Sequence, residues 1–152
     1  MKVFIGNDNN AVEMKNLVRK QLQEMGHEVV DLGVHATDDG KYYPNVAQEL
    51  CEAIIAENYQ ARGILICGTG IGMAITANKF PGIYAAVGHD IYSTERSILS
   101  NNCNVLCMGA LVIGPQAALA YAKRWMELEF VDSPSSAKID VMRNIDKANR
   151  KA

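Results

Sequence analysis

Short apolar runs alternate with segments of helical period along almost the whole chain, and this alternation limits the fold more than any other feature. Residues 2–6, 27–32, 63–67, 84–88 and 104–108 read as strands. Helical periodicity runs over 11–25, 44–57, 70–79, 92–101, 115–129 and 137–150, while 33–43 is polar and irregular and reads as a loop. In the first helix Met14, Leu17, Val18, Leu22 and Met25 share one face, and Gly26 supplies a C-terminal stop. Pro44 suits the first turn of the second. Repeated strand–helix units call for a parallel sheet covered on both faces. Right-handed crossovers then give an α/β fold, a three-layer αβα sandwich around a five-stranded, doubly wound, Rossmann-like parallel sheet with an added C-terminal helix. At 152 residues the chain is expected to form one domain, 1–152. The helix at 137–150 follows the break Asp132-Ser133-Pro134-Ser135-Ser136 and is expected to pack on a partner subunit.

Charge narrows the function. A net charge of -2, mixed in sign along the chain, gives no basic stripe for nucleic acid. No run approaches the ~18 apolar residues that a membrane span requires. The first residues enter a strand pattern at once, which predicts no signal peptide. Cys51, Cys67, Cys103 and Cys107 form no Cys-x-x-Cys pair, so reduced thiols in a cytoplasmic protein are expected. His27, His35 and His89 lack ligand spacing, and Cys103 with Cys107 makes no closed site, so no metal is expected.

In doubly wound sheets, ligands bind at the carboxyl ends of the strands. Asp8, Cys67, His89 and Asp90 all fall there. The segment from Ile64 to Met73 ends an apolar run at Cys67 and continues Gly68-Thr69-Gly70-Ile71-Gly72 into a helix. A thiol at such a turn sits beside free backbone N–H groups, which favour a thiolate and hold a nearby oxyanion. The competing reading is a structural cysteine before a turn that serves close packing. A dinucleotide fingerprint fits poorly, since it follows a first strand with Gly-x-Gly-x-x-Gly, and a P-loop lacks its Gly-Lys-Ser/Thr. Asp8, Asn9 and Asn10 either cap the first helix, a role suited to Asn9 or Asn10, or bind a polyhydroxylated ligand. His89-Asp90 and Ser100-Asn101-Asn102 either cap the two ends of one helix or carry an acid–base group, His89. Tyr42 and Tyr43 pack a loop, with one phenol facing the site.

These residues resemble a known family. Cys67-Gly68-Thr69-Gly70-Ile71-Gly72, followed by Ala77-Asn78-Lys79-Phe80-Pro81-Gly82-Ile83, is similar to the type B ribose-5-phosphate and galactose-6-phosphate isomerases. Ile5-Gly6-Asn7-Asp8, Tyr43-Pro44, Asn104-Val105-Leu106 and Gly109-Ala110 extend the likeness over nearly the whole chain. The resemblance implies an aldose–ketose isomerase of sugar phosphates that uses neither metal nor cofactor. It implies a homodimer, or a tetramer, with sites shared between subunits. Carried over, Cys67 is the base between C1 and C2, and Thr69 positions it or the intermediate. Gly68, Gly70 and Gly72 hold the enediolate, and Asp8 and Asn101 bind sugar hydroxyls. Asn9, Tyr43, Ser100 and Lys138 complete the substrate-binding set.

Several positions depart from the family pattern. Ser100 stands where the ribose enzymes carry the histidine that opens the furanose ring, Asn9 where they carry another histidine, and Leu111 where an arginine is expected. The two late phosphate-gripping arginines correspond to the region of Pro134 and Ser135 and to Lys138, which leaves Lys138, with Arg143 or Lys79, to take the phosphate. The segment Tyr92-Ser93-Thr94-Glu95-Arg96 through Leu99-Ser100-Asn101-Asn102 resembles a branch acting on four-carbon sugar phosphates such as D-erythrulose 4-phosphate. A tetrose 4-phosphate cannot close a furanose and needs no ring opener. With that histidine gone, His89 is the remaining acid–base candidate. Ribose 5-phosphate, a hexose phosphate of the galactose 6-phosphate type, and a non-catalytic sugar-phosphate-binding module are the other readings. Retention of an activated thiol speaks against the binding module.

Overall fold

In the computed structural model, residues 1–36 and 40–151 are described. Their strands are β1 (Lys2–Asn7), β2 (Glu28–Asp31), β3 (Arg62–Cys67), β4 (Ala85–Val87) and β5 (Val105–Gly109). Their helices are α1 (Val12–Glu24), α2 (Tyr43–Ala56), α3 (Ile71–Ala77), α4 (Ile91–Leu99), α5 (Pro115–Glu127) and α6 (Ser135–Asn149). The strands form one parallel sheet in the order β2-β1-β3-β5-β4. From β2 the chain crosses back over β1 to β3, and from β4 it returns to insert β5 beside β3. Crevices therefore open at the carboxyl ends of β1, β3 and β5, where a doubly wound sheet accepts a ligand.

The layers follow from the sequence pattern. Ile5, Ile64, Leu65, Ile66 and Leu106 are wholly inaccessible, as strands covered on both faces require. Val46, Leu50, Ile54 and Met73 of α2 and α3 meet Phe4, Leu65 and Cys107 on one face. Val18, Leu22, Ile98, Ala118, Ala122 and Trp125 of α1, α4 and α5 meet Ile64, Ile66 and Met108 on the other. The αβα sandwich expected from the alternation is the one observed. No described helix is long and apolar enough to cross a membrane.

Helix ends test the local reading. Gly26 takes a φ of +93°, its N–H donates to Gln23 O, and His27 N–H donates to Leu22 O, which closes α1 as a Schellman motif. The start of α1 differs from expectation. Ala11 occupies the N-cap with no side-chain cap, so neither Asn9 nor Asn10 serves there. The reason is local: Asp8 Oδ1 accepts Asn10 N–H at 2.9 Å, and Asp8 Oδ2 accepts the Asn10 amide at 3.4 Å. This turn engages Asn10 before the helix begins. α6 opens at Ser135, inside the expected break, because Ser133 Oγ accepts Ser135 N–H at 3.1 Å and terminates the exposed backbone. Of the expected loop at 33–43, residues 37–39 lie outside the described residues, as does residue 152, and Tyr43 already begins α2.

One buried charge ties this scaffold together beside the site. Lys15 of α1 is wholly inaccessible, and its Nζ donates to Asp31 Oδ2 at 2.7 Å and to Val34 O at 3.2 Å. The contact pins the end of β2 and the segment after it to α1. Lys15→Met keeps the aliphatic stem and removes both hydrogen bonds, leaving the Asp31 carboxylate to Arg19, 3.6 Å away. We expect a loss of about 3 kcal/mol in urea denaturation. An unshifted midpoint would mean that the pair contributes nothing net.

Candidate active site

β3 ends at Cys67, which is in register with Gly109 at the end of β5. Beyond the strands the two turns stay joined: Ala110 N–H donates to Cys67 O at 2.8 Å, and Leu111 N–H to Gly68 O at 3.0 Å. Their approach is too close for side chains. A Cβ on Gly109 would lie 2.6 Å from the Thr69 backbone, and one on Gly70 would lie 3.0 Å from the Met108 carbonyl carbon. Gly70 also takes a φ of +79°, a conformation that favours glycine. The turn so formed aims Gly70 N–H at Cys67 Sγ, at 3.1 Å, and Ile71 N–H at Thr69 Oγ1, at 3.2 Å. An N–H donor in contact with the sulfur stabilises negative charge on it. Burial pushes Cys51 and Cys103 up to about 12 and Cys107 well above its ordinary value, so these three stay neutral.

Asp8 and Tyr43 flank this turn. Asp8 continues β1, its N–H donating to Ile66 O at 3.1 Å. Asn10, held by the Asp8 carboxylate, brings its amide to 3.7 Å from where a Gly68 Cβ would be. Tyr43 lies against Gly72, where a Cβ would come within 2.8 Å of the phenol oxygen. Asp8, Asn9, Tyr42 and Tyr43 line a cleft of 330 Å³ together with Gly40 and Lys41. Cys67, Thr69, Gly68, Gly70, Gly72, Asp8, Asn9 and Tyr43 thus gather at one end of the sheet.

His89 follows β4 at the same end. Its Nε2 accepts Gly109 N–H at 2.9 Å. Burial lowers its pKa below the ordinary histidine value, and the neighbouring Asp90 opposes that only in part. Its ring is therefore neutral at pH 7, with the proton on Nδ1. Asp90 caps α4 as the sequence suggested, Oδ2 accepting Ser93 N–H at 2.9 Å, and this hydrogen bonding holds its carboxyl below the usual range.

Ser100, Asn101 and Lys138 lie elsewhere. α4 starts beside His89 and runs back along the sheet, and nine residues of helix span roughly 13 Å. Ser100 and Asn101 therefore sit near the amino ends of the strands. There they line a groove of 390 Å³ with Ser135 and Lys138 at the start of α6. Arg96, not foreseen as a site residue, lines it too, its Nε donating to Ser100 Oγ at 2.7 Å. The sequence signal is the four-residue spacing, which places both on one helix face. Arg143 and Lys79 are not in this groove. The Arg143 guanidinium lies 5.5 Å from the Tyr84 ring centroid, and Lys79 follows α3, where its carbonyl accepts from Arg150. Each chain thus carries the Cys67 turn at one end of the sheet and a groove with two cations at the other.

Comparison with known proteins gives this arrangement its context. The family model described as Ribose/Galactose Isomerase matches residues 3–142. The chain is 44% identical over 150 residues to ribose-5-P isomerase B of Listeria innocua, spanning 99% of this chain and 100% of that one. It is 46% identical over 143 residues to D-erythrulose-4-phosphate isomerase 2 of Mycolicibacterium smegmatis, spanning 92% and 93%. The structure of Clostridium thermocellum ribose-5-phosphate isomerase B superposes with a TM-score of 0.91 at 34% identity, over 98% and 99% of the two chains. With sequence and fold in agreement over almost its full length, the chain belongs to the ribose/galactose isomerase family of sugar-phosphate isomerases.

Proposed function

We propose that this isomerase interconverts a tetrose 4-phosphate pair, D-erythrulose 4-phosphate and its aldose, through an enediolate with Cys67 as the base. The observation that carries the four-carbon reading is Ser100. Its hydroxyl is engaged by Arg96 Nε, and it offers no imidazole to open a furanose. A relative 46% identical, named a D-erythrulose-4-phosphate isomerase, supports the same reading.

In this mechanism the Cys67 thiolate takes the proton from C1 of the ketose and returns it to C2, while the hydroxyl proton passes from O1 to O2. Charge that builds on the sugar oxygen meets those backbone N–H groups of the turn at 68–72 that Cys67 and Thr69 do not occupy, which are fixed before the reaction begins and need no reorganisation. Thr69, tied to Ile71 N–H, keeps that turn in shape. Asp8, Asn9 and Tyr43 bind the sugar hydroxyls. His89 acts as a positioning residue: its Nε2 is occupied by Gly109 N–H, and Gly109 abuts Thr69.

A second copy of the chain supplies Ser100, Asn101 and Lys138 to each site. Exposed Ile71, Ile75 and Leu111 near the thiol, and Val141 and Ile145 along α6, give such a homodimer its apolar contact surface. α6 itself has only Ile139 fully buried within its own chain, as expected of a helix that packs on a partner.

Two outcomes are expected. On a panel of erythrulose 4-phosphate, ribose 5-phosphate and galactose 6-phosphate, kcat/KM is highest for the four-carbon sugar. Cys67→Ala lowers kcat by about 10²- to 10⁴-fold. A preference for ribose 5-phosphate would overturn the tetrose assignment, and full turnover by the variant would remove Cys67 as base.

A third outcome concerns pH. The His89 pKa is lowered in the fold from 6.5, so the unfolded chain binds more protons in the window below that value. The stability this group contributes is complete above pH 6.5 and is lost as pH falls from there through the lowered value. His27 shifts in the same direction by desolvation. The melting temperature should therefore drop on acidification below pH 6.5, and less steeply in His89→Ala. Equal slopes for wild type and variant would show that burial of the ring does not favour its neutral form.

A further inference from the structure

The groove between α4 and α6 contains two cations and no carboxylate: its lining comprises Arg96, Lys138, the neutral polar groups of Tyr92, Ser100, Asn101 and Ser135, and apolar neighbours. Arg96 differs from Arg19, Arg62, Arg124 and Arg150, each of which has a terminal nitrogen engaged within the chain. Arg62 donates to the Trp125 and Leu128 carbonyls, Arg124 pairs with Glu95, Arg150 with Asp146, and Arg19 with Asp31. Arg143 lies over the Tyr84 ring. Arg96 is half-buried and spends only Nε, on the neutral hydroxyl of Ser100 at 2.7 Å. Neither of its terminal nitrogens donates to any of the described residues.

A guanidinium oriented by one hydrogen bond, with its remaining donors free beside a lysine, is built to receive an anion. Two neighbouring cations repel each other until one arrives. The fork geometry suits a phosphate monoester, which accepts two parallel N–H bonds, while lysine adds point charge. Ser135, at the start of the fifteen-residue α6, adds the positive end of a helix dipole.

We propose that Arg96, oriented by Ser100, is the phosphate-binding arginine of this enzyme, acting with Lys138 of the same chain on the substrate held at a second copy's Cys67. The assignment rests on the shared-site reading given above, and it makes Arg96 a specificity-determining residue. The side chain that replaces a ring opener at position 100 serves to aim a guanidinium.

The test combines two readouts on the full-length protein. Inorganic phosphate is titrated by calorimetry into wild type, Arg96→Gln and Arg96→Lys, without sugar. Steady-state turnover of D-erythrulose 4-phosphate is measured on the same three. Arg96→Gln should raise both the phosphate Kd and the substrate KM by about 10- to 100-fold, with kcat changed less than about threefold. Arg96→Lys should fall between, since it keeps charge and loses the fork. If phosphate affinity and KM both stay within about twofold of wild type in Arg96→Gln, the proposal is overturned. If wild type turns over none of the sugar panel, the isomerase reading fails separately. The phosphate titration then still decides whether Arg96 binds the anion.

Discussion

The approach of the turn after β3 to the end of β5 is the constraint on which the rest depends. Cys67 and Gly109 are in register, and the chain beyond each is hydrogen-bonded to the other. At this distance a side chain on Gly109 or Gly70 would meet backbone rather than a yielding side chain. The glycines therefore set where the sulfur points and which N–H faces it. His89 belongs to the same construction, since its acceptor nitrogen holds the N–H of the glycine that allows the approach. The chemistry of the cleft is thus an outcome of backbone packing: a thiol common in protein cores becomes a candidate base because of what lies 3.1 Å away.

The opposite end of the molecule follows a different principle. Around Ser100 and Lys138 the geometry comes from helix faces, with α4 offering positions four apart and α6 lying across it. Several charges elsewhere in the protein are paired with an opposite charge. Lys15 is buried against Asp31, and Glu95 takes Arg124. The groove departs from that habit, and uncompensated charge in a concave surface is a ready means of attracting a small anion.

Much of this was legible in the sequence, for identifiable reasons. Continuous apolar runs such as 63–67 specify strands buried on both faces, and their alternation with helical segments fixed the layers. The Cys67 turn was readable because glycine crowding after a strand has few structural explanations. Contacts that depend on local competition were harder to foresee. Asn10 looks like a helix cap by type, yet the Asp8 carboxylate claims it first. Ser135 looks like part of a break, yet the helix starts there, its N–H taken by Ser133 Oγ. Arg96 gave no motif of its own. Its meaning lies in having no acidic partner, and a sequence does not display pairing. Nor does a sequence reveal that Ser100 and Cys67 fall at opposite ends of one chain, which follows only once α4 is laid along the sheet.

That separation bears on how such a protein changes over time. The turn at 67–72 tolerates little, because its neighbours are backbone atoms fixed by the sheet. Ser100, Asn101 and the start of α6 line an open, polar groove, and they share no residue with that turn. On the reading proposed above, drift in substrate length can accumulate at positions such as 96, 100 and 138 while the Cys67 turn stays untouched. One scaffold can in this way diversify its sugars without reinventing its reaction.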